Sequence, residues 1–199
     1  MKAVILDMYG VVTTEPNANL APFLHGYFPG LDRDFIYSLW SRAMANEIAT
    51  EDFWKGMGFD GDIKQTERAY LDTIAIDPRF WPAAATIRER FRLALLSNDI
   101  SEWSAYLRTK HGLDKWFDEI IISGDMGCKK PGHEIYQIML DRLSLPPEEC
   151  AFVDDRAVNI KAAGELGFVT VTFDRGGADY PGRTVTDFEG LIKFLNTLP

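Results

Sequence analysis

Cysteine and histidine are scarce in this chain, basic residues are outnumbered, and no apolar run is long. The 199 residues include two cysteines, Cys128 and Cys150, too few for a disulfide framework, so a reducing compartment such as the cytoplasm is expected. The three histidines, His25, His111 and His133, show no metal-ligand spacing, and His133 reads as a surface residue at a helix start. Twenty-one basic against thirty acidic residues leave a net charge of -9. That balance argues against nucleic acid or an anionic membrane as the partner, since both attract positive surfaces. It does not exclude a small anionic substrate, because a pocket can be locally positive inside a negative protein. The apolar run between Met1 and Asp7 is too short for a signal peptide or a membrane span, and no later stretch is long enough either. Internal repeats and low-complexity segments are lacking too.

What is present is an ordinary globular balance, 46% hydrophobic and 26% charged, over a length that suits one core domain with a modest insert. Ala3-Val4-Ile5-Leu6 is wholly apolar and reads as a strand buried on both faces. From about Asn17 to Phe80 the pattern turns helical and aromatic, with helices expected over 34–45, 51–56 and 63–74 and Thr50 as the cap of the second. From Pro82 onward short apolar runs alternate with helical stretches. Strands are expected over 93–96, 120–122, 150–153 and 168–173. Helices are expected over 83–91, 101–110 (capped by Ser101), 134–143, 159–166 and 188–195. Four-residue apolar strands alternating with helices specify a Rossmann-like α/β fold, a parallel sheet covered by helices on both faces. The expected division is a core of residues 1–13 and 82–199, with an all-helical cap of residues 14–81 inserted after the first strand.

In open α/β sheets the ligand site lies beyond the carboxyl ends of the strands. The first expected strand ends at Asp7-Met8-Tyr9-Gly10 and the second at Ser97-Asn98-Asp99. The third leads to Lys129-Lys130-Pro131 and the fourth ends at Asp154-Asp155-Arg156. Carboxylates for a hard cation, a lysine for phosphoryl oxygens and neutral donors to orient them make up a phosphoryl-transfer site. With these four motifs in order, the chain resembles the haloacid dehalogenase superfamily, whose members are mostly phosphatases. Two stretches resemble the small-cap sugar-phosphate phosphatases of the α-glucose-1-phosphatase type: Asp125 to Pro131 leading to Glu134-Ile135-Tyr136, and Phe152 to Asp155 leading to Asn159-Ile160.

The resemblance implies Asp7 as the nucleophile that carries an aspartyl-phosphate. It implies Mg2+ held by Asp7, Asp155 and the backbone carbonyl of Tyr9, with Asp154 orienting a metal-bound water or stabilising Lys130. Ser97 and the Asn98 amide are expected on phosphoryl oxygens. Lys130, which directly precedes Pro131, is expected to hold the negative nucleophile and the anionic substrate together.

One position departs from this pattern. Most family phosphatases carry a second aspartate two residues after the nucleophile, as general acid and base, and here that residue is Tyr9. Tyrosine there resembles the metal-independent haloacid dehalogenases, whereas the pair Asp154-Asp155 resembles the magnesium phosphatases. Adjacent carboxylates raise one another's pKa unless a cation stands near, which favours phosphate chemistry. A leaving group such as an anomeric hydroxyl needs less protonation and would tolerate Tyr9. The alternatives are a dehalogenase, for which Arg33 or Arg42 could hold a substrate carboxylate, and a catalytically impaired relative that binds a phosphorylated ligand or a partner protein. The aromatic residues of the insert, Phe23, Tyr27, Phe28, Phe35, Tyr37, Trp40, Phe53 and Trp54, are expected mostly in its core, with some facing the cleft. Lys129 and Lys130 could lower the pKa of Cys128. The loop starting at Asp174-Arg175 could border the cleft.

Overall fold

Ala3–Leu6 (β1) is flanked on both sides by parallel strands, which is why all four of its residues are apolar and fully buried. The computed structural model describes residues 1–14, 20–28, 30–176 and 182–199. The other strands are Arg92–Ser97 (β2), Glu119–Ile122 (β3), Cys150–Asp154 (β4), Val169–Phe173 (β5) and Thr184–Val185 (β6). They form one parallel sheet in the order β3-β2-β1-β4-β5-β6. Alternate side chains of β1 enter different cores: Val4 and Leu6 on one face, Ala3 and Ile5 on the other, as the two-residue period of a strand requires.

Helices are Leu20–His25 (α1), Arg33–Met44 (α2), Thr50–Gly56 (α3), Ile63–Leu71 (α4), Phe80–Arg88 (α5), Ser101–His111 (α6), Ser123–Met126 (α7), His133–Leu143 (α8), Ala157–Glu165 (α9) and Phe188–Leu195 (α10). One face of the sheet is covered by apolar residues of α5, α6 and α10, continuous with those of α2, α3 and α4. The other is covered by Ile135, Tyr136, Met139, Leu140 and Leu143 of α8 with Ala162 and Ala163 of α9. Among the described residues no helix is long and apolar enough to cross a membrane.

Several details differ from the sequence pattern. Thr50 is the first residue of α3 rather than its cap; Ala49 holds the cap position, and the Thr50 hydroxyl donates to Glu102 Oε2 at 3.2 Å. Ser101 likewise opens α6, behind Ile100. Helix α5 starts at Phe80, so Pro82 sits in its first turn, where a missing N–H costs nothing. Strand β6 has only two residues and no apolar run to announce it. Helix α1 is a short addition ahead of α2. The expected helical onset near Asn17 lies outside the described residues.

The chain leaves the sheet after β1 and returns before α5 along two adjacent segments. Thr13 bridges Ile76 in antiparallel fashion, Asp77 N–H donates to Val12 O at 2.9 Å, and Thr14 N–H donates to Ala75 O at 3.1 Å. Arg175, from the loop after β5, ties both segments together. Its Nε donates to Gly10 O at 2.9 Å, one terminal nitrogen to Val11 O at 2.8 Å and the other to Asp77 Oδ2 at 2.6 Å. Arg79 adds two side-chain bonds to the same carboxylate, at 2.9 and 3.0 Å.

Burial by itself would raise the Asp77 pKa, but the hydrogen bonds from Arg79 and Arg175 outweigh it and hold the group at about 2. A depressed carboxylate adds stability that is present above its unfolded pKa of about 3.9 and is lost as pH falls through the folded value. Between pH 5 and pH 2 the wild type is expected to lose more unfolding free energy than Asp77→Asn does. Denaturant titrations at each pH check this; parallel curves for the two proteins would contradict it.

Candidate active site

The carboxyl ends of β1, β2 and β4 and the loop after β3 meet around one ammonium group. Lys130 is 2% exposed. Its Nζ lies 2.9 Å from Asp7 Oδ1, 2.7 Å from Asp154 Oδ2 and 2.7 Å from Leu96 O. A lysine has three N–H donors, and these three acceptors use all of them. Lys130 therefore stands beside Asp7 as a fixed charge. Burial alone would lower its pKa, but Asp154 and Asp7 more than compensate, so the ammonium stays charged.

The loop that delivers Lys130 is held by Asn98. Asn98 Oδ1 accepts from Lys130 N–H at 2.9 Å, and Asn98 Nδ2 donates to Lys130 O at 2.8 Å. The Lys130-Pro131 peptide bond is cis. The Asn98 side chain thus shapes the lysine loop, a role distinct from the phosphoryl contact expected of its main-chain amide. Ser97, at the end of β2, is fully buried, and its hydroxyl has no hydrogen-bond partner among the described residues. A buried unpartnered hydroxyl is costly and suits a site whose acceptor arrives with a ligand.

Asp7 is 4% exposed. Its Oδ1 accepts from Met8 N–H at 2.7 Å as well as from Lys130, which leaves Oδ2 unbonded among the described residues. Asp154 is fully committed: Asn159 Nδ2 lies 3.0 Å from each of its oxygens and Arg156 N–H donates to Oδ1 at 2.8 Å, in addition to Lys130. These contacts tie Asp154 to Lys130 and to the start of α9. Asn159, which the sequence offered only as part of the resemblance, contacts the site through Asp154; its position five residues after Asp154, on the first turn of the next helix, was the available signal.

Asp155 approaches Gly10 so closely that a Cβ on Gly10 would lie 2.5 Å from Asp155 Oδ2. Gly10 also has φ of 77°, a conformation side chains disfavour. Glycine at this position lets two strand ends close on each other. Ligand oxygens of Asp7, Asp154 and Asp155 all lie within 4.8 Å of one another. Three carboxylates then face one lysine. Burial, then the charge of Asp154, raises Asp155 to about 6; burial, with Asp154 and Asp155 adding to it, raises Asp7 well above the usual carboxylate range. The donor set, hard oxygens with surplus negative charge, fits a divalent cation between Asp7 and Asp155.

Tyr9 points elsewhere. Its ring is buried, and its hydroxyl donates to Asp99 Oδ2 at 3.0 Å. Burial, then the Asp99 charge, pushes its pKa well above 10, so it is no base at neutral pH. Burial also raises Asp99, to about 7. Asp99 was visible in the sequence only as the residue after Ser97-Asn98.

A cavity of about 620 Å³ opens onto this cluster. One wall is α2, through Asp34, Tyr37, Ser38, Trp40, Ser41 and Met44; the other is Asn98, Lys129, Lys130, Pro131, Asp155 and Arg156. Of the aromatic residues in the insert, Tyr37 and Trp40 line the cavity, Phe53 and Trp54 are fully buried, and Tyr27 and Phe35 are exposed. Arg33 donates to Tyr37 Oη and Arg42 pairs with Glu47 at 3.6 Å, both exposed, and neither lines the cavity. His133 lies on the surface, 3.6 Å from Glu165. The expected activation of Cys128 is overturned: burial and Glu134 raise its pKa, and Lys130 is engaged with Asp7 and Asp154. Both cysteines are free thiols. Arg175 touches the Gly10 and Val11 carbonyls behind the site, while Gly177 of its loop lies outside the described residues.

Removing the ammonium while keeping the volume, in Lys130→Met, strands Asp7 and Asp154 in the interior. Unfolding is expected to cost about 3–5 kcal/mol less than in the wild type. Lys130→Met combined with Asp154→Asn should recover part of that loss in denaturant titrations; strictly additive losses would contradict the pairing.

Among curated relatives, mouse acyl-CoA dehydrogenase family member 10 is 29% identical over 97% of this chain. The (S)-2-haloacid dehalogenase 4A of Burkholderia cepacia is 33% identical over 49% of the chain. The glyceraldehyde 3-phosphate phosphatase of Methanocaldococcus jannaschii is 31% identical over 50%. The matches span 19%, 44% and 46% of those proteins' own lengths. A family enzyme from Bacteroides thetaiotaomicron, crystallised with magnesium and inorganic phosphate, shares the fold with a TM-score of 0.77 at 21% identity, over 91% of this chain and 97% of that one. Residues 1–167 match the haloacid dehalogenase-like hydrolases, and the chain belongs to that family.

Proposed function

We propose that the protein is a magnesium-dependent phosphatase acting on a small phosphorylated metabolite through an aspartyl-phosphate on Asp7. The observation that carries this reading is the meeting of Asp7, Asp154 and Asp155 within 4.8 Å around a single buried lysine. A haloacid is itself an anion, and three carboxylates without a further cation would repel it. In this reading residues 1–13 and 82–199 are the catalytic core, residues 14–81 are the cap, and α2 supplies the cap wall of the cleft.

Asp7 Oδ2, the oxygen free of Lys130, attacks phosphorus. The P–O bond to Asp7 forms as the ester P–O bond breaks, and the leaving oxygen departs with the bonding electron pair as an alkoxide that takes its proton from water. Lys130 keeps Asp7 oriented and offsets the charge that gathers there. The Ser97 hydroxyl and the Asn98 main-chain amide donate to phosphoryl oxygens. Magnesium held by Asp7, Asp155 and the Tyr9 carbonyl would neutralise the phosphoryl oxygens against the carboxylates. Water then attacks phosphorus, frees phosphate and restores the Asp7 carboxylate. Because the Tyr9 hydroxyl donates its hydrogen bond to Asp99, it is not placed to protonate the leaving oxygen. That favours esters whose alcohol leaves readily, such as a sugar 1-phosphate. The free thiols Cys128 and Cys150 support a cytoplasmic setting.

Screening phosphate esters with magnesium, with EDTA, and with Asp7→Asn tests the assignment. Turnover should vanish with EDTA, return with magnesium, and fall on the order of 10³-fold or more in the variant. Metal-independent chloride release from 2-chloropropionate would establish the dehalogenase instead, and silence on every ester would leave a binding protein. Glucose 1-phosphate should be hydrolysed faster than glucose 6-phosphate in initial-rate assays; the opposite order would reject the leaving-group argument.

A further inference from the structure

Two cations in the cleft wall have no work in the chemistry just described. Lys129 and Arg156 line the cavity, and neither makes an ion pair among the described residues. Arg156 is exposed and only modestly lowers the pKa of Asp155, a smaller influence than burial or Asp154. Lys129 is half-buried, and its Nζ donates to Ser41 Oγ on α2 at 2.6 Å, so the ammonium is held at the cavity wall. In a chain of net charge -9, unneutralised cations gathered in one cleft create a local attraction for anions.

A third group points the same way. Trp40 lines the cavity and is 4% exposed, yet its indole N–H has no acceptor among the described residues. A buried donor without an acceptor is costly, and a ligand oxygen would satisfy it. The cavity of about 620 Å³ has room for a substrate body beyond the phosphoryl group. Asp34 also lines it but sits seven residues from Ser41 on α2, about 10 Å along the helix axis. Its negative charge therefore marks the opposite end of the wall from the Lys129 contact.

We propose that Lys129 and Arg156, with Trp40 and Ser41, form a second anion subsite that selects phosphate esters carrying another anionic group. The proposal rests on the phosphatase reading of the Asp7 cluster and adds the substrate class to it. Lys129 and Arg156 act here as specificity residues through charge, and Trp40 contributes a neutral donor. The substrate spans the cleft with its phosphoryl at Ser97 and its second anion at Lys129.

The test compares α-glucose 1-phosphate with α-glucuronic acid 1-phosphate, which share a leaving group and differ in a carboxylate, and with α-glucose 1,6-bisphosphate, which carries a second phosphate. The wild-type protein should favour at least one charged ester by about tenfold or more in kcat/KM, and the two charged arms tell a carboxylate from a phosphate. In Lys129→Gln and in Arg156→Gln that ratio should shrink several-fold, chiefly through KM for the charged ester, and the preference should weaken as salt rises. Equal losses on charged and neutral esters would make Lys129 a latch to α2 and overturn the proposal. Turnover of p-nitrophenyl phosphate with no charge preference overturns it alone, whereas no turnover of p-nitrophenyl phosphate removes the phosphatase reading and the subsite with it.

Discussion

The burial of Lys130 between Asp7 and Asp154 is the constraint on which the arrangement of the site depends. Its three donors are shared among β1, β2 and β4, so one side chain from the loop after β3 joins the ends of the three neighbouring strands. An ammonium this deep is tolerable only because two carboxylates and a carbonyl replace its water. Asn98 holds the loop by both its amide atoms, and Asn159 with the Arg156 amide holds Asp154. Each acidic group on the lysine is thereby fixed by a second contact of its own.

That geometry leaves a charge imbalance. Lys130 offsets one of three nearby carboxylates, and Asp7 and Asp155, whose pKa values are raised first by burial, are raised further by the negative charge beside them. Gly10 is what lets Asp155 come so near, since any side chain there would collide with it. Acids packed this densely at strand ends make a donor set that suits a divalent cation. Tyr9 is turned away from this cluster: its ring is packed in the core, and its hydroxyl donates to Asp99.

The helical segment is connected to this rigid cluster through two paired strands of linker. Arg175 binds carbonyls on one and a carboxylate on the other, so the turn that follows Asp7 and the return segment are held by one guanidinium. Helix α2 meets the cluster across the cavity, with the Lys129 to Ser41 bond as a direct polar tie. In the proposed reading the strand ends carry the chemistry, while selectivity draws on Lys129 and Arg156 of the core loops together with Trp40 and Ser41 of α2.

Short-range pattern in the sequence determined the sheet, its parallel sense and most helices, because a strand buried on both faces must be apolar throughout and Ala3 to Leu6, Leu93 to Leu96 and Cys150 to Val153 have few other uses. It also brought out Asp7, Ser97, Asp154 and Asp155, since each stands at or just beyond a strand's carboxyl end, and Lys130 through the resemblance carried by the pair Lys130-Pro131. Contacts over long sequence distances were not legible in this way. Asp99 under Tyr9, Arg175 against the Gly10 carbonyl and Asn98 around the Lys130 peptide join residues 32 to 165 positions apart, and nothing in local periodicity records such pairs. The helix starts at Thr50 and Ser101 were misread as caps because capping depends on backbone angles that composition only suggests. Local hydrophobicity is a property of the chain itself, so the sequence could disclose the fold; which oxygens share a proton, a lysine or a cation is a property of distance, and only the folded molecule decides that.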